Sequence, residues 1–400
     1  MIDGDKGQRL PQRARRGLTL IAVGAVVLLA VSVAFLYPGA SRTASTQPSI
    51  SHWAATTTAN LVSFDFVNPS LGWALQSSTT PSPAPGNFWV SRTTDGAKHW
   101  QIQLQGEINA SFSGQQLIQF FDRSRGFVAV AGDPNQLFRT GDGGSTWTRL
   151  ALPEAHLTSL TFSDPRHGWL LGLTYGNPTI SDHFYATDDA GNTWHSLPNA
   201  PPGSAGLAFR SSSEGWLWSS EQAESHLYFS HDAGQSWQVH DPLPPSDRQP
   251  EETVGIVNVR LLPNDGGVVA ELVLRQGQQF RAPLYKATSG DLGISWKYVT
   301  PPASQSLDEI EGFQDASHWW RIDRGTLYKS SDSGQTWKSN RSNLAYGLGW
   351  TYSVRVHDAA HAWAQVRIGA TTGLTRTSNG GLTWIAADVP QTSEVQLLDG

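Results

Sequence analysis

Acidic side chains recur along this chain at a fixed distance before a tryptophan. The pattern S/T-x-D-x-G-x-S/T-W is complete at 140–147, 187–194, 230–237, 289–296 and 330–337, and degenerate at 93–100 and 377–384. Carboxylates in loops suggest calcium, but a calcium loop needs roughly five or more oxygen ligands, and each copy fixes one carboxylate. The carboxylate can instead accept hydrogen bonds from N–H groups of its own turn, where the glycine supplies a positive φ.

We therefore predict that these turns are structural, with a ligand site as the alternative. Asn379 replaces the aspartate in the last copy, and an amide fits a turn more easily than it fits a cation site. Each tryptophan is predicted to pack between neighbouring repeats. The predicted structural residues are Asp95, Asp142, Asp189, Asp232, Asp291, Asp332 and Asn379, with Trp100, Trp147, Trp194, Trp237, Trp296, Trp337 and Trp384.

Histidines occupy the same place in three other turns, at His167, His318 and His361. Three imidazoles hold a metal ion only when they converge within about 2 Å of it. The repeat places them in three separate units, so we predict exposed turn residues, no metal site and no cofactor. The sequence also lacks a phosphate-binding glycine loop, a zinc-protease motif and a serine-nucleophile turn.

A second pattern alternates with the acidic turns. An apolar residue is followed seven positions later by a large apolar residue, and Asp, Pro, Asn or Gly cluster between the two, as in a strand, a tight turn and a strand. The pairs are Phe66 and Trp73, Phe120 and Phe127, Phe162 and Trp169, Phe209 and Trp216, Leu261 and Val268, Phe313 and Trp320, and Val356 and Trp363. The acidic turns recur every 40 to 60 residues or so, a spacing typical of propeller blades.

Together the patterns predict an all-β fold, a seven-bladed β-propeller of four-stranded blades over residues 60–388. The first hairpin supplies two strands, the third strand ends in the acidic turn, and the tryptophan opens the fourth. One such sheet alone exposes too much apolar surface, so neighbouring blades must pack face to face in a ring. Either residues 50–58 or residues 395–398 of the C-terminal tail (389–400) could add a closing strand.

Composition restricts the class of protein. Lys plus Arg is 28 and Asp plus Glu is 34, a net charge of −6. Because the N-terminal tail is basic, the rest of the chain is more acidic than this total. An acidic body argues against nucleic-acid binding. Seventeen tryptophans and 16% charged residues exclude a disordered chain. The absence of cysteine excludes disulfides, thiolate metal sites and a lipidated cysteine.

The N-terminal residues indicate a membrane anchor. Residues 18–37 are apolar and uncharged, and a helix of that length spans about 30 Å. The basic tail 1–17 precedes them, so the positive-inside rule predicts a single-pass cell-membrane protein with a cytoplasmic N-terminus and an extracytoplasmic body. A cleaved signal peptide is the alternative, although its apolar core is usually shorter. Residues 38–59, rich in Ser, Thr, Ala and Pro, are predicted to be a flexible linker.

The acidic turn resembles the Asp-box, or bacterial neuraminidase repeat, of sialidases, some other glycan hydrolases and sortilin-type receptors. The fuller repeat, with GWAL (72–75) or GWLLG (168–172) ahead of TGDGGSTW (140–147), is more similar to the photosystem II stability and assembly factor family. The resemblance covers about residues 60–388. It implies a seven-bladed propeller without known catalysis that acts as a binding scaffold for an assembling membrane complex.

A sialidase-like site would need three arginines around a substrate carboxylate, a tyrosine nucleophile with a glutamate partner, and an acidic proton donor. The first arginine of sialidases precedes the first blade, where residues 52–66 contain none. Arg260 and Arg355 end predicted innermost strands and could face the central channel, with Tyr352 close to Arg355. We predict no catalysis; an exo-sialidase-like glycoside hydrolase with a diverged site is the alternative.

Binding is predicted on the face opposite the Asp-box turns, where the loops vary most: 76–87, 172–182, 241–253 and 341–350. Aromatic residues with arginine are common anchors of interfaces. The predicted surface near the channel mouth consists of Tyr175, Tyr346, Trp350 and Tyr352 with Arg260 and Arg355; ordinary loop packing is the alternative. The predicted function is a non-catalytic binding or assembly scaffold for a protein or glycan partner.

Overall fold

The computed structural model describes residues 59–389 except 79–85, 109–114, 133, 154–156, 176–179, 199, 220–223, 265–266, 278, 300–309, 324–325, 345–350, 369–370 and 388. Its strands form seven antiparallel sheets, each of four consecutive strands, which confirms the seven-bladed propeller. The anchor predicted at 18–37 and both candidate closing segments lie outside the described residues. Within the described ranges, no helix has the length and apolar character needed to cross a bilayer.

Blades 1 to 4 follow one another along the chain. Their strands are β1 (Ala59–Phe66), β2 (Gly72–Ser78), β3 (Gly86–Thr93) and β4 (Gln101–Ile108); β5 (Leu117–Phe120), β6 (Gly126–Val130), β7 (Gln136–Thr140) and β8 (Thr148–Leu150); β9 (Leu157–Phe162), β10 (Gly168–Tyr175), β11 (Ile180–Thr187) and β12 (His195–Leu197); and β13 (Ser204–Phe209), β14 (Gly215–Ser219), β15 (Leu227–Ser230) and β16 (Gln238–Val239).

Blades 5 to 7 complete the ring. Their strands are β17 (Thr253–Leu261), β18 (Val268–Gln276), β19 (Gln279–Ser289) and β20 (Lys297–Tyr298); β21 (Ile310–Phe313), β22 (Trp319–Asp323), β23 (Thr326–Ser330) and β24 (Lys338–Arg341); and β25 (Thr351–Val356), β26 (Ala362–Ile368), β27 (Thr371–Thr377) and β28 (Ile385–Ala387).

The first strand of each blade lies towards the centre of the ring. β1 contacts β5, β9 contacts β13, and β21 contacts β25, whereas fourth strands such as β24 are exposed along their length. In blades 1 to 4 the first hairpin depends on a glycine: a Cβ on Gly72 would lie 2.3 Å from the ring of Phe66. The glycine therefore lets the phenylalanine fold over its own hairpin.

Aromatic stacks join successive blades. Trp73 lies 3.5 Å from Phe120 of blade 2, and Trp169 lies 3.6 Å from Phe209 of blade 4, in both cases with nearly parallel rings. The Asp-box tryptophan packs edge-on against the phenylalanine of its own blade, as Trp147 does against Phe120. The second sequence pattern therefore supplies the inter-blade stack, and the Asp-box tryptophan covers its edge.

Side chains close the ring between blades 7 and 1. Trp363 stacks on Phe66 at 3.8 Å, Gln365 Nε2 donates to the Leu61 carbonyl at 2.7 Å, and Thr372 Oγ1 donates to the same carbonyl at 2.8 Å. Within the described ranges, neither terminal blade borrows a strand from the other end of the chain. Among the described residues, the packing of complete sheets joins the two ends.

Blade 5 departs from the predicted spacing by one residue. Its hairpin turn is longer, since Leu261 pairs with Val268 whereas Phe66 pairs with Gly72. Val268 thus occupies the glycine position, and Val269, not Val268, corresponds to Trp73. The sequence pattern missed this because both valines are apolar and both are fully buried.

Candidate functional site

The hydrogen-bonding capacity of each Asp-box carboxylate is used inside its own turn. Asp142 Oδ1 accepts bonds from Thr146 N–H at 2.8 Å and Thr140 Oγ1 at 2.9 Å, and Oδ2 accepts from Thr146 Oγ1 at 2.7 Å. Thr140 Oγ1 in turn accepts from Gly144 N–H at 2.8 Å. The turn is thus a closed network in which the aspartate is the central acceptor.

The other turns repeat this network with small changes. Hydrogen bonds from the following Ser or Thr hold the pKa of Asp142, Asp189, Asp291 and Asp332 at about 2, below the usual value of 3.8. In blade 1, His99 Nδ1 replaces the hydroxyl and contacts Asp95 at 2.6 Å. In blade 7, Asn379 accepts from Thr383 N–H at 3.0 Å and its amide nitrogen donates to Thr383 Oγ1 at 2.7 Å.

In blades 1 to 4, 6 and 7, the Asp-box turn also binds the first hairpin turn of the same blade. The residue before the glycine of the S/T-x-D-x-G-x-S/T-W pattern adopts a positive φ, 75° at Gly143 and 64° at Ala190. Its N–H donates to a hairpin carbonyl, from Gly143 to Ser124 at 2.7 Å and from Ala190 to Arg166 at 2.9 Å. These two sets of turns therefore lie together on one face of the ring, which we call the box face.

The three recurrent histidines do not converge. Each Nδ1 contacts the aspartate three residues earlier, His167 with Asp164 at 2.7 Å and His361 with Asp358 at 2.9 Å, and His318 contacts Asp315 in the same way. Across the described ranges, no cluster of three or more His, Cys, Asp or Glu could hold a metal ion. The histidines are partners of their own turn aspartates.

The predicted binding residues are divided between the two ends of the strands. Tyr175 is the last residue of β10 and Tyr352 is the second residue of β25, so both lie at the face opposite the box face, which we call the loop face. Arg260 and Arg355 precede the last residues of β17 and β25, next to the hairpin turns of the box face. Tyr346 and Trp350 lie outside the described residues. The described members therefore do not form one cluster, and their role in binding stays a prediction.

Arg260 is engaged in contacts between blades 5 and 6. Its Nη1 donates to the Glu311 carbonyl at 3.1 Å, its Nη2 lies 3.2 Å from Glu271 Oε1, and its guanidinium lies over the Phe313 ring. Its side chain is 37% exposed. The arginine thus links two blades and still reaches solvent.

Arg355 acts electrostatically on Asp65 of blade 1. Asp65 Oδ2 accepts from Phe120 N–H of blade 2 at 2.7 Å, and Oδ1 accepts from Phe66 N–H at 3.1 Å. Desolvation raises the pKa of Asp65, whereas the positive charge of Arg355 and these two amide donors oppose the rise. Asp65 therefore connects blades 7, 1 and 2 near the centre of the ring.

Sequence reasoning missed four buried charges between blades 5 and 6: Glu271, Lys286, Glu311 and Arg321. Lys286 Nζ lies 2.7 Å from Glu311 Oε1, with side-chain exposures of 5% and 1%. A signal was present, because each charge interrupts a position that is apolar in nearly every other repeat. It becomes visible only when the repeats are aligned strand by strand.

The loop face carries a small pocket between blades 4 and 5, of about 200 Å³. Its lining combines the β14–β15 loop, the linker after β16 and the start of β17: Glu224, Ser225, Asp241, Pro242, Leu243, Pro244, Val254 and Ile256. Leu243 is 77% exposed beside it. This face therefore offers a concave surface with both acidic and apolar side chains.

Comparison with solved structures places the fold among known propellers. A YCF48 structure with bound D1 peptide matches with a TM-score of 0.52 and 18% identity, over 81% of this chain and 93% of that one. YCF48 from Cyanidioschyzon merolae matches with a TM-score of 0.53 and 18% identity, over 81% and 96%. A GH74 xyloglucanase from Xanthomonas campestris gives 0.54 and 16%, over 83% and 55%. At these identities the likeness concerns the fold alone.

The family assignment rests on the sequence. No curated protein matches this chain. The family described as photosynthesis system II assembly factor YCF48 matches residues 46–347, from the linker to the end of blade 6. That range is about three quarters of the chain and contains the complete Asp-box turns. The chain therefore belongs to the photosynthesis system II assembly factor YCF48 family.

Proposed function

We propose that this protein is a membrane-anchored, extracytoplasmic propeller that binds a protein partner on its loop face without catalysing a reaction. The observation that carries the proposal is the family match over residues 46–347, together with the likeness to a YCF48 structure bound to a D1 peptide. A peptide segment of a protein is thus the class of partner that we favour over a glycan.

The choice of face rests on how the two sets of turns are used. Box-face turns are bonded to each other, as Gly143 is to Ser124, and their carboxylates accept bonds within the turn. The loop-face linker between β16 and β17 is longer than any box-face turn, and it lines the pocket with its exposed Leu243. Loops held by a rigid scaffold are where binding surfaces usually form.

The anchor is a proposal from the sequence. Residues 18–37 are apolar, uncharged and preceded by basic residues, which favours a spanning helix with the propeller outside the cytoplasm. A single-pass anchor, joined to the propeller by the linker predicted at 38–59, would keep the propeller near segments of membrane proteins.

Affinity capture with the full-length chain tests the function. Tagged protein is cross-linked in host membranes, and the captured proteins and cross-linked peptides are identified by mass spectrometry. We expect one membrane protein whose cross-links fall on the loop face. The double variant Tyr346→Ala/Trp350→Ala should abolish its capture, while the box-face control Ile294→Ser, which changes a 76% exposed side chain, should not. Equal capture by the unchanged protein, the double variant and the control would reject the loop face as the binding surface.

The glycoside hydrolase alternative has a separate test. The purified chain is incubated with fluorogenic sialosides and other glycosides, and release of the fluorophore is followed. Our proposal expects no turnover above a buffer control. Turnover that is lost in Arg260→Gln or Arg355→Gln would overturn the non-catalytic proposal.

A further inference from the structure

The interface between blades 5 and 6 differs in kind from the other six. At each interface, four core positions come from equivalent places: one each on the second and third strands of the leading blade, and one each on the first and second strands of the following blade. Between blades 2 and 3 these are Ala129, Leu137, Leu160 and Leu170, all buried and apolar.

The same four positions are charged between blades 5 and 6. Glu271 and Lys286 lie opposite each other on β18 and β19, and Glu311 and Arg321 lie opposite each other on β21 and β22. Their exposures range from 1% to 6%. The other interfaces keep apolar residues at these positions, except for Gln365 at the ring closure. We call these four residues the charged quartet.

The quartet is complementary across the interface. Each blade contributes one acid and one base, and Lys286 of blade 5 pairs with Glu311 of blade 6 at 2.7 Å. Arg260, at the edge, adds a contact to Glu271. Within the described part of the chain, Glu311 Oε2 is buried without a hydrogen-bond partner. A buried ionic set of this kind is weak evidence for stability, because desolvation offsets the attraction between the charges.

We propose that the charged quartet determines which blades pair, so that blade 5 packs against blade 6 and against no other blade. The other interfaces offer similar apolar surfaces, so a blade that skips its neighbour during folding would still find an apolar face. If blade 5 met such a face, Glu271 and Lys286 would be buried without the opposite charges of blade 6. Buried groups that fix which elements pair are the best supported use of such residues.

The inference is independent of the proposed function, because it concerns how the ring assembles and not what the loop face binds. It also differs from a purely stabilising role. Loss of a stabilising network would lower the stability measured at equilibrium. Loss of a quartet that determines pairing would instead lower the recovery of native monomer on refolding.

A first experiment replaces the quartet with the residues of the blade 2–3 interface: Glu271→Ala, Lys286→Leu, Glu311→Leu and Arg321→Leu together. The full-length chain is unfolded in urea in mild detergent and refolded by dilution. We expect an unfolding midpoint equal to or above that of the unchanged protein, but recovery of native monomer at least about threefold lower. Unchanged recovery, or a markedly lower midpoint, would overturn the proposal.

A second experiment keeps all the charges and changes only their arrangement. Reversing blade 5 alone (Glu271→Lys/Lys286→Glu) places like charges across the interface and should abolish recovery of native monomer. Reversing blade 6 as well (adding Glu311→Lys/Arg321→Glu) should restore most of it. If blade 5 reversal has no effect, or if the complete reversal recovers no better than the half reversal, pairing by charge is wrong.

Discussion

At the scale of single residues, the Asp-box aspartates are acceptors inside turns. Asp332 accepts from Thr336 Oγ1 and Thr336 N–H, the latter at 2.8 Å, which holds its pKa at about 2. Asn379 shows that an amide can keep the same turn, since its Oδ1 accepts from Thr383 N–H at 3.0 Å. The shape of the turn needs an acceptor at this position, but its dependence on pH needs a carboxylate.

A change of Asp332 separates these two roles. A lowered carboxyl pKa stabilises the fold above the unfolded value of 3.8, and this contribution is lost as the pH falls through about 2. We expect Asp332→Asn to lower the urea midpoint slightly at about pH 6, with a difference from the unchanged protein that narrows between about pH 4 and pH 2.

The matched variant Asp332→Ala removes the acceptor at every pH. It should lower the midpoint more than Asp332→Asn does, over the whole range, as measured by fluorescence-detected urea unfolding. If the Asn and Ala variants had the same urea midpoint at every pH, the acceptor function assigned to this residue would be wrong.

At the scale of elements, the hairpin aromatics carry more of the core than the Asp-box tryptophans. Trp73, Trp169, Trp216 and Trp320 are at most 2% exposed, whereas most Asp-box tryptophans, such as Trp147 and Trp237, are half-buried. Each hairpin aromatic reaches the next blade, so its loss affects two sheets at once.

Trp169 tests the inter-blade stack. Trp169→Ala should cost about 3–5 kcal/mol of unfolding free energy, because it leaves a cavity beside Phe209. Trp169→Phe should cost only about 1–2 kcal/mol, since the stack persists and mainly the Nε1 bond to the Ala233 carbonyl is lost. In blade 2, Phe127 already stacks in this way on Phe162.

Denaturant unfolding measures both variants of Trp169. The control is Val239→Ala on the outer strand β16, where the side chain is 56% exposed and the expected change is within about 0.5 kcal/mol. Equal costs for Trp169→Ala and Val239→Ala would contradict the stack as the main contact between blades 3 and 4.

At the scale of the whole molecule, stability depends on closing the ring. Blade 7 lies beyond the residues matched by the family, yet it covers one face of blade 1 through Trp363 and one face of blade 6 through Val354 and Ala364. Without it, both faces would be open to water.

Two truncations measure that dependence. Ending the chain after Leu344 removes blade 7, and we expect loss of the native monomer by size-exclusion chromatography and loss of near-ultraviolet circular dichroism. Ending it at residue 390 removes only the tail, and we expect no change, because blades 1 and 7 each already have four strands. A folded monomer from the shorter chain would contradict obligatory closure by blade 7.

The sequence by itself determined the repeat, the number of blades and the strand order, because the Asp-box turn and the hairpin each follow from local backbone requirements. Asp142 and Gly144 show this, since each is bonded within its own turn to a residue four positions away. The family, too, followed from these structural residues.

Only the tertiary structure decided which side chains meet across blades. The one-residue extension of the blade 5 hairpin shifts Val269 into the aromatic position. Arg260 turned out to bind the carbonyl of Glu311, and Lys286 to pair with the side chain of the same residue. These partners lie at least 25 residues apart in sequence, so no local pattern encodes them; they are set by the ring, which brings the face of one complete sheet against the next.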